Sequence, residues 1–85
     1  MEFIYSPNAI KQFKKLDKSI QKKIKTYTDE LETLQNPRTK GKGLVANLSG
    51  YWRYRVENYR LICKIVDNEM IILCLEIDKR DKIYK

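Results

Sequence analysis

The sequence predicts an α+β domain of order β-α-α-β-β-β-β, with an antiparallel helix pair packed on one face of a small, mostly antiparallel sheet. Three observations lead there. As far as Leu34 the apolar residues recur at threes and fours, the spacing of amphipathic helices. Beyond Gly43 the chain becomes rich in aromatic and β-branched residues with polar residues between them, the pattern of strands. With 85 residues, and neither an internal repeat nor a break in composition, residues 1–85 are expected to form one domain.

Glu2 to Ser6 reads as a short apolar and aromatic strand, stopped by Ser6-Pro7. Ser6 is a good N-cap, and proline suits the first helical position because its missing N–H has no partner there anyway. Ala9, Ile10, Phe13 and Leu16 then share a helix face, with Lys11, Lys14, Lys15 and Lys18 on the others. A break near Asp17 to Ser19 starts a second helix carried by Ile20, Ile24, Tyr27, Leu31 and Leu34. Asn36-Pro37 closes it, since the residue before proline avoids the helical region. After a loop from Pro37 to Gly43, Leu44 to Leu48 is expected as a short strand and Ser49-Gly50 as a turn. Tyr51 to Val56, Tyr59 to Val66 and Met70 to Ile77 follow as strands, with Glu57-Asn58 and Asp67-Asn68 as hairpin turns. The last of these is apolar at nearly every position, which predicts a strand covered on both faces.

Composition excludes several classes. A chain 42% hydrophobic and 34% charged, with 3 Gly and 2 Pro, is neither a disordered tail nor a low-complexity linker. No apolar run approaches the ~18 residues that would span a bilayer. The opening Met1-Glu2-Phe3-Ile4-Tyr5 lacks the basic and apolar regions of a secretion signal. Two cysteines make no disulfide framework, so a reduced, cytoplasmic protein is expected. Without histidine, and without Cys-x-x-Cys spacing, neither a zinc site nor a cysteine nucleophile is expected. Gly41-Lys42-Gly43 lacks the strand–loop–helix context of a phosphate loop. Lys plus Arg is 18 against 11 Asp plus Glu, a net charge of +7, which favours an acidic partner such as nucleic acid. The excess is concentrated: Arg38, Lys40, Lys42, Arg53, Arg55, Arg60 and Lys64 stand against Glu57 alone.

Strand alternation sharpens this. Within Trp52-Arg53-Tyr54-Arg55-Val56, side chains point alternately to opposite faces. A two-residue turn at Glu57-Asn58 pairs Val56 with Tyr59, Arg55 with Arg60 and Arg53 with Ile62. Arg53, Arg55 and Arg60 then share one face, and Trp52, Tyr54, Leu61, Cys63 and Ile65 share the other. Like charges opposed on a sheet are destabilising, so three guanidinium groups gathered together call for an anion. Phosphate fits their fork in a bidentate manner. A solvated face with each arginine paired to Glu57, Glu76, Asp78 or Asp81 is the plainer alternative.

The run Asn36-Pro37-Arg38, Gly41-Lys42-Gly43-Leu44, Leu48 to Val56 and Tyr59-Arg60-Leu61-Ile62 resembles the RelE/ParE toxin superfamily, most closely its RelE branch of mRNA interferases. The resemblance extends to the opening strand, to Lys14 to Asp17 and to the close Lys79-Arg80…Tyr84. It implies a toxin of a type II toxin–antitoxin pair that enters the ribosomal A site and cuts mRNA without a metal or other cofactor, through 2′-hydroxyl attack on the adjacent phosphate. Its catalytic positions fall on Arg53, Arg55, Arg60, Arg80 and Tyr84, the last stacking on the target nucleotide. Lys40, Lys42, Tyr51 and Lys79 join them as candidate RNA contacts. The implied partners are a cognate acidic antitoxin, the ribosome with its rRNA, and mRNA; no membrane is involved. Some relatives carry lysine at the positions of Arg53 and Arg55, where it could act as a base. Arginine stays protonated, so here both read as electrostatic stabilisers, with Tyr84, Lys42 or another group left as the base. Two other readings compete: a ParE-type gyrase inhibitor of the same fold, and a basic RNA-binding module without catalysis that stacks bases on Tyr51, Tyr59 and Tyr84.

Overall fold

Ser6 both ends the first strand and starts the first helix, because its extended backbone lets its side-chain oxygen accept from the Ala9 N–H at 3.1 Å. The structure, a computed structural model, describes residues 1–79. Strand β1 (Glu2–Tyr5) leads into helix α1 (Pro7–Lys14) and helix α2 (Lys18–Thr33), the latter capped by the Asp17 carboxylate on the Ile20 N–H. That hydrogen bond holds the Asp17 carboxyl below the ordinary carboxylate range. Four strands follow: β2 (Lys42–Gly43), β3 (Trp52–Val56), β4 (Tyr59–Val66) and β5 (Ile71–Lys79). The sheet order is β1-β5-β4-β3-β2, antiparallel throughout except that β1 runs parallel to β5. The expected α+β class and element order hold.

Both helices pack on one face. There Ala9, Ile24 and Leu31 meet Tyr54, Val56, Leu61, Cys63, Ile72, Cys74 and Ile77, all buried. Phe3, Tyr5, Phe13 and Trp52 pack around that cluster, so the face shared by Trp52 and Tyr54 is the one the helices cover, with Tyr54 buried and Trp52 part-buried beside it. Burial is the main reason the Tyr5 phenol is pushed up to about 12. Glu32 of α2 accepts from the Phe3 N–H at 2.7 Å, tying edge strand β1 to the helix pair.

Four expectations change. Leu44 to Leu48 is not a strand: β2 comes earlier, at Lys42–Gly43, and Ala46–Leu48 forms a 3-10 turn. Asp67-Asn68 is not a two-residue turn; a 3-10 turn at Asp67–Glu69 and a left-handed Met70 lengthen it, so Val66 faces Ile71. Cys63 therefore faces Cys74 directly, where a two-residue turn would have placed them diagonally; both remain free thiols. Strand β5 is interior to the sheet but helix-covered on one face only, so residues such as Leu73 and Ile4, paired on the opposite face, stay part-exposed.

A β-bulge at Leu75 completes the architecture. Cys63 faces Cys74 but Ile62 faces Glu76, leaving Leu75 as an extra residue. Before it the even-numbered Ile72 and Cys74 point to the core; after it the odd-numbered Ile77 does. Side chains near α1 satisfy the disturbed backbone: Ser6 and Asn8 donate to the Leu75 carbonyl at 3.2 and 3.1 Å, and Gln12 accepts from the Ile77 N–H at 2.7 Å.

Candidate functional site

Strands β3 and β4 pair in the expected register, Val56 with Tyr59, Arg55 with Arg60 and Arg53 with Ile62. Arg53, Arg55 and Arg60 thus lie together on the face that the helices leave open. Lys42 of β2 pairs with Arg53 and extends the same cationic row to the sheet edge. Alternation puts Tyr51 and Lys64 on this face as well.

The three arginines differ in their surroundings. Arg55 is exposed. Arg53 is part-buried, and its Nε is sealed from solvent without a hydrogen-bond partner among the described residues. Arg60 meets Asp78 along one edge of its guanidinium, Nε to Oδ1 and Nη2 to Oδ2, each 3.0 Å. Their side chains keep 24% and 33% of their exposure, so the pair is open to solvent and its net stabilisation small. Of the acids named as possible counter-ions, Asp78 takes Arg60, while Glu57 reaches Lys23 of α2 at 3.0 Å.

The approach to β2 is held by a strap over residues 36–41. Asn36 caps a 3-10 turn at Pro37–Thr39, Tyr54 Oη donates to the Pro37 carbonyl at 2.8 Å, and Trp52 Nε1 donates to the Lys40 carbonyl at 2.7 Å. Gly41 then passes so close to β3 that a Cβ would strike the Arg53 carbonyl, and its φ of +78° suits glycine. Arg38 is fixed by a fork onto Asp67, both contacts 2.9 Å, which holds the Asp67 carboxyl below its usual range.

Not every expected contact joins this face. Lys40 turns toward α2, 3.5 Å from Glu30 and 5.5 Å from the centre of the Tyr27 ring. Lys79 stands opposite Tyr59, in the alternation of Leu61 and Ile77, and so belongs to the helix side. Arg80, Asp81 and Tyr84 lie outside the described residues. Asp78 is the site residue that alternation alone misplaces. Without the bulge it would point with Ile72 and Cys74 into the core, and no glycine or proline near Leu75 marks the irregularity. Among the described residues no three His, Cys, Asp or Glu side chains cluster to hold a metal, and no helix is long and apolar enough to cross a membrane.

Chemically, the face offers a row of fixed positive charge from Lys42, Arg53, Arg55 and Arg60, the Asp78 carboxylate set against Arg60 with exposed Glu76 in the next row, and Tyr51 at its margin. Comparison with known proteins adds the following. The family model described as ParE toxin of type II toxin–antitoxin system, parDE, matches residues 3–84. No curated protein matches. Among solved structures, the chain is similar to one in the toxin–antitoxin complex RelBE2 from Mycobacterium tuberculosis, at 25% identity over 93% of this chain and 96% of that one, with a TM-score of 0.82. It shares its fold with a chain of the archaeal RelE–RelB complex from Pyrococcus horikoshii OT3, at 22% identity over 95% and 96% of the two chains and a TM-score of 0.77. The isolated RelE toxin of E. coli shares it too, at 16% identity over 94% and 84%, with a TM-score of 0.71.

Proposed function

The chain belongs to the RelE/ParE superfamily of type II toxin–antitoxin toxins, and we propose that within it the protein is a metal-independent endoribonuclease that cuts mRNA in the ribosomal A site. The observation that carries this reading is the open sheet face on which Arg53, Arg55 and Arg60 stand together in register. Three like charges on neighbouring strands cost stability. They are worth that cost where negative charge develops, as on the phosphorane formed when a 2′-hydroxyl attacks the adjacent phosphate. Arg53 and Arg55 stabilise that charge, Arg60 holds a phosphate oxygen, and Arg80 and Tyr84 serve as a further cation and a stacking platform. Lys42 and Tyr51 guide the strand across the sheet edge. Placement on the helix side removes Lys40 and Lys79 from the cleavage centre and leaves them as outlying contacts for ribosomal RNA.

The same reading assigns a cognate acidic antitoxin as partner. Its support is the surplus of +7 and the RelB-bound state of similar toxins. A charged, partly disordered segment that folds on binding suits such a surface. A second reading has one observation in its favour: the matching family model is that of ParE, which points to gyrase as the target. Poisoning of a protein target does not call for a row of arginines on an open sheet face. The deciding experiment compares cleavage of ribosome-bound message with trapping of gyrase cleavage complexes by the same purified protein. Cleavage at the A-site codon is expected; gyrase trapping without cleavage, or RNA binding without cleavage, would overturn the nuclease reading.

A further inference from the structure

Asp78 reaches the arginine face through a backbone irregularity, and that irregularity is held by other parts of the chain. The extra residue at Leu75 switches the alternation of β5, and Ser6, Asn8 and Gln12 bond the backbone groups that the switch disturbs. Bulges commonly re-aim a side chain beside an active site. Here the re-aimed side chain is a carboxylate, set against Arg60 by two 3.0 Å contacts.

We propose that Asp78 is the general base of the cleavage, a catalytic carboxylate beside Arg60 that takes the proton from the attacking 2′-hydroxyl; the inference rests on the nuclease reading above. The attack needs a proton acceptor within hydrogen-bond reach of that hydroxyl. Arg53, Arg55 and Arg60 cannot serve, because a guanidinium stays protonated, and the chain has no histidine. Of the other acids, Glu57 is engaged with Lys23, Asp67 with Arg38 and Glu30 with Lys40, while Glu76, exposed on the same face, stands opposite Ile62 in the neighbouring row. Asp78 instead touches a residue of the arginine set and keeps a third of its side chain exposed, 33%. Each carboxylate oxygen carries a second lone pair beyond the one directed at Arg60, so it can accept from a hydroxyl without leaving its partner. Carboxylate and guanidinium side by side match what the reacting group presents side by side, a hydroxyl to be deprotonated and a phosphate oxygen to be held.

The step balances as follows. The 2′-hydroxyl proton passes to an Asp78 oxygen while the 2′-oxygen electron pair forms the new bond to phosphorus. The bond from phosphorus to the 5′-oxygen breaks, and that oxygen leaves with the pair and takes a proton from water. The resulting hydroxide receives the Asp78 proton. The products are a 2′,3′-cyclic phosphate and a 5′-hydroxyl end.

The test uses the full chain, programmed ribosomes and two messages, one all-ribose and one with a 2′-deoxy residue at the cut site that binds but cannot react. Asp78→Asn keeps the shape and one acceptor oxygen. It is expected to slow single-turnover cleavage by about 10²–10⁴-fold, the usual range for a lost general base, while binding of the deoxy message stays within about threefold. Asp78→Ala should regain activity when formate is added, an effect that a purely structural role would not produce. Cleavage by Asp78→Asn within about threefold of the parent would overturn the inference. So would parallel loss of cleavage and binding with no formate rescue. If Asp78→Asn melts below the assay temperature, Asp78→Glu decides: retained cleavage above the rate of Asp78→Ala supports the base, and equal rates refute it. A parent protein that cuts no message would overturn the nuclease reading and the base together, whereas an active parent with an active Asp78→Asn overturns the base alone.

Discussion

The strap that carries Lys42 to the sheet edge depends on one glycine, and its cost of substitution can be worked out. Gly41 has a φ of +78°, and a Cβ there would lie 2.8 Å from Trp52 Nε1 and 2.9 Å from Tyr54 Cδ1, besides striking the Arg53 carbonyl. An L-residue in the left-handed region costs roughly 1–2 kcal/mol, and forcing a methyl into packed surroundings typically adds about 1–3 kcal/mol. Gly41→Ala should therefore cost roughly 2–5 kcal/mol, a large share of the roughly 4–13 kcal/mol that a chain of this length commands. Gly50 provides the control: its φ is +97° but nothing lies within 4 Å of its Cβ position. Gly50→Ala should cost the conformational part alone, about 1–2 kcal/mol. Urea denaturation followed by the fluorescence of Trp52, the one tryptophan of the chain, measures both. Its indole is bonded to the strap at Lys40, so an early shift in emission would also show the strap lifting before the sheet unfolds. Equal costs for the two substitutions would refute the close approach of Gly41 to β3.

Arg60→Ala and Arg80→Ala should each leave the protein folded and lower message cleavage a few hundred-fold, the ~3–4 kcal/mol typical of one lost charge-stabilising donor; growth arrest by the double variant would refute the site. Arg55→Glu should raise the melting temperature by several degrees while abolishing cleavage. It replaces the like-charged pair with Arg60 by an opposite-charged one, each term being worth about 0.2–1 kcal/mol. Asp17 and Asp67 have lowered pKa values in the fold, from the Ile20 N–H and from Arg38 respectively, so their stabilisation is present above the unfolded carboxylate range and lost as pH falls through the folded values. Thermal melts should therefore decline below about pH 4, and the decline should be shallower in Asp67→Asn. Cys63 and Cys74 are fully buried, and contact with Cys74, then burial, pushes the Cys63 thiol up. A thiol reagent should label both only on unfolding, and rapid labelling of the native protein would show that their face is not the core.

How much of this was legible in the sequence depended on where the information lay. The helix start at Ser6-Pro7 and the hairpin at Glu57-Asn58 are local, each set by a few adjacent residues, and both stand where the sequence put them. The grouping of Arg53, Arg55 and Arg60 needed only strand alternation across a two-residue turn. The second hairpin misled because its extra length ends on Met70, a residue with no turn signature that nevertheless sits in the left-handed region at φ 59°. Strand β2 misled for the opposite reason. Leu44 to Leu48 has strand-like composition, but Val45 and Leu48 are exposed, and pairing is set instead by the strap through Gly41. Arg80 and Tyr84 came from resemblance alone.

The bulge was illegible for a physical reason that also explains its place in the site. Leu75 carries no conformational requirement of its own, and the hydrogen bonds that stabilise the bulge come from Ser6, Asn8 and Gln12, far away in sequence. Beyond Cys74, strand β5 has no β1 residue beside it, since Tyr5 is the last partner and Ser6 turns into α1. The backbone groups at Leu75 and Ile77 would otherwise be left without sheet partners, at the cost of an unpaired polar group. The start of α1 satisfies them with side chains in place of a strand. That frees β5 to change its alternation, which buries Ile77 under the helices and brings Asp78 round to Arg60. The same few residues that end β1 and cap α1 therefore also determine which side of the sheet receives the carboxylate. In this fold the helix face and the arginine face are joined through the backbone of β5, where Gln12 holds the N–H of Ile77, the residue next to Asp78.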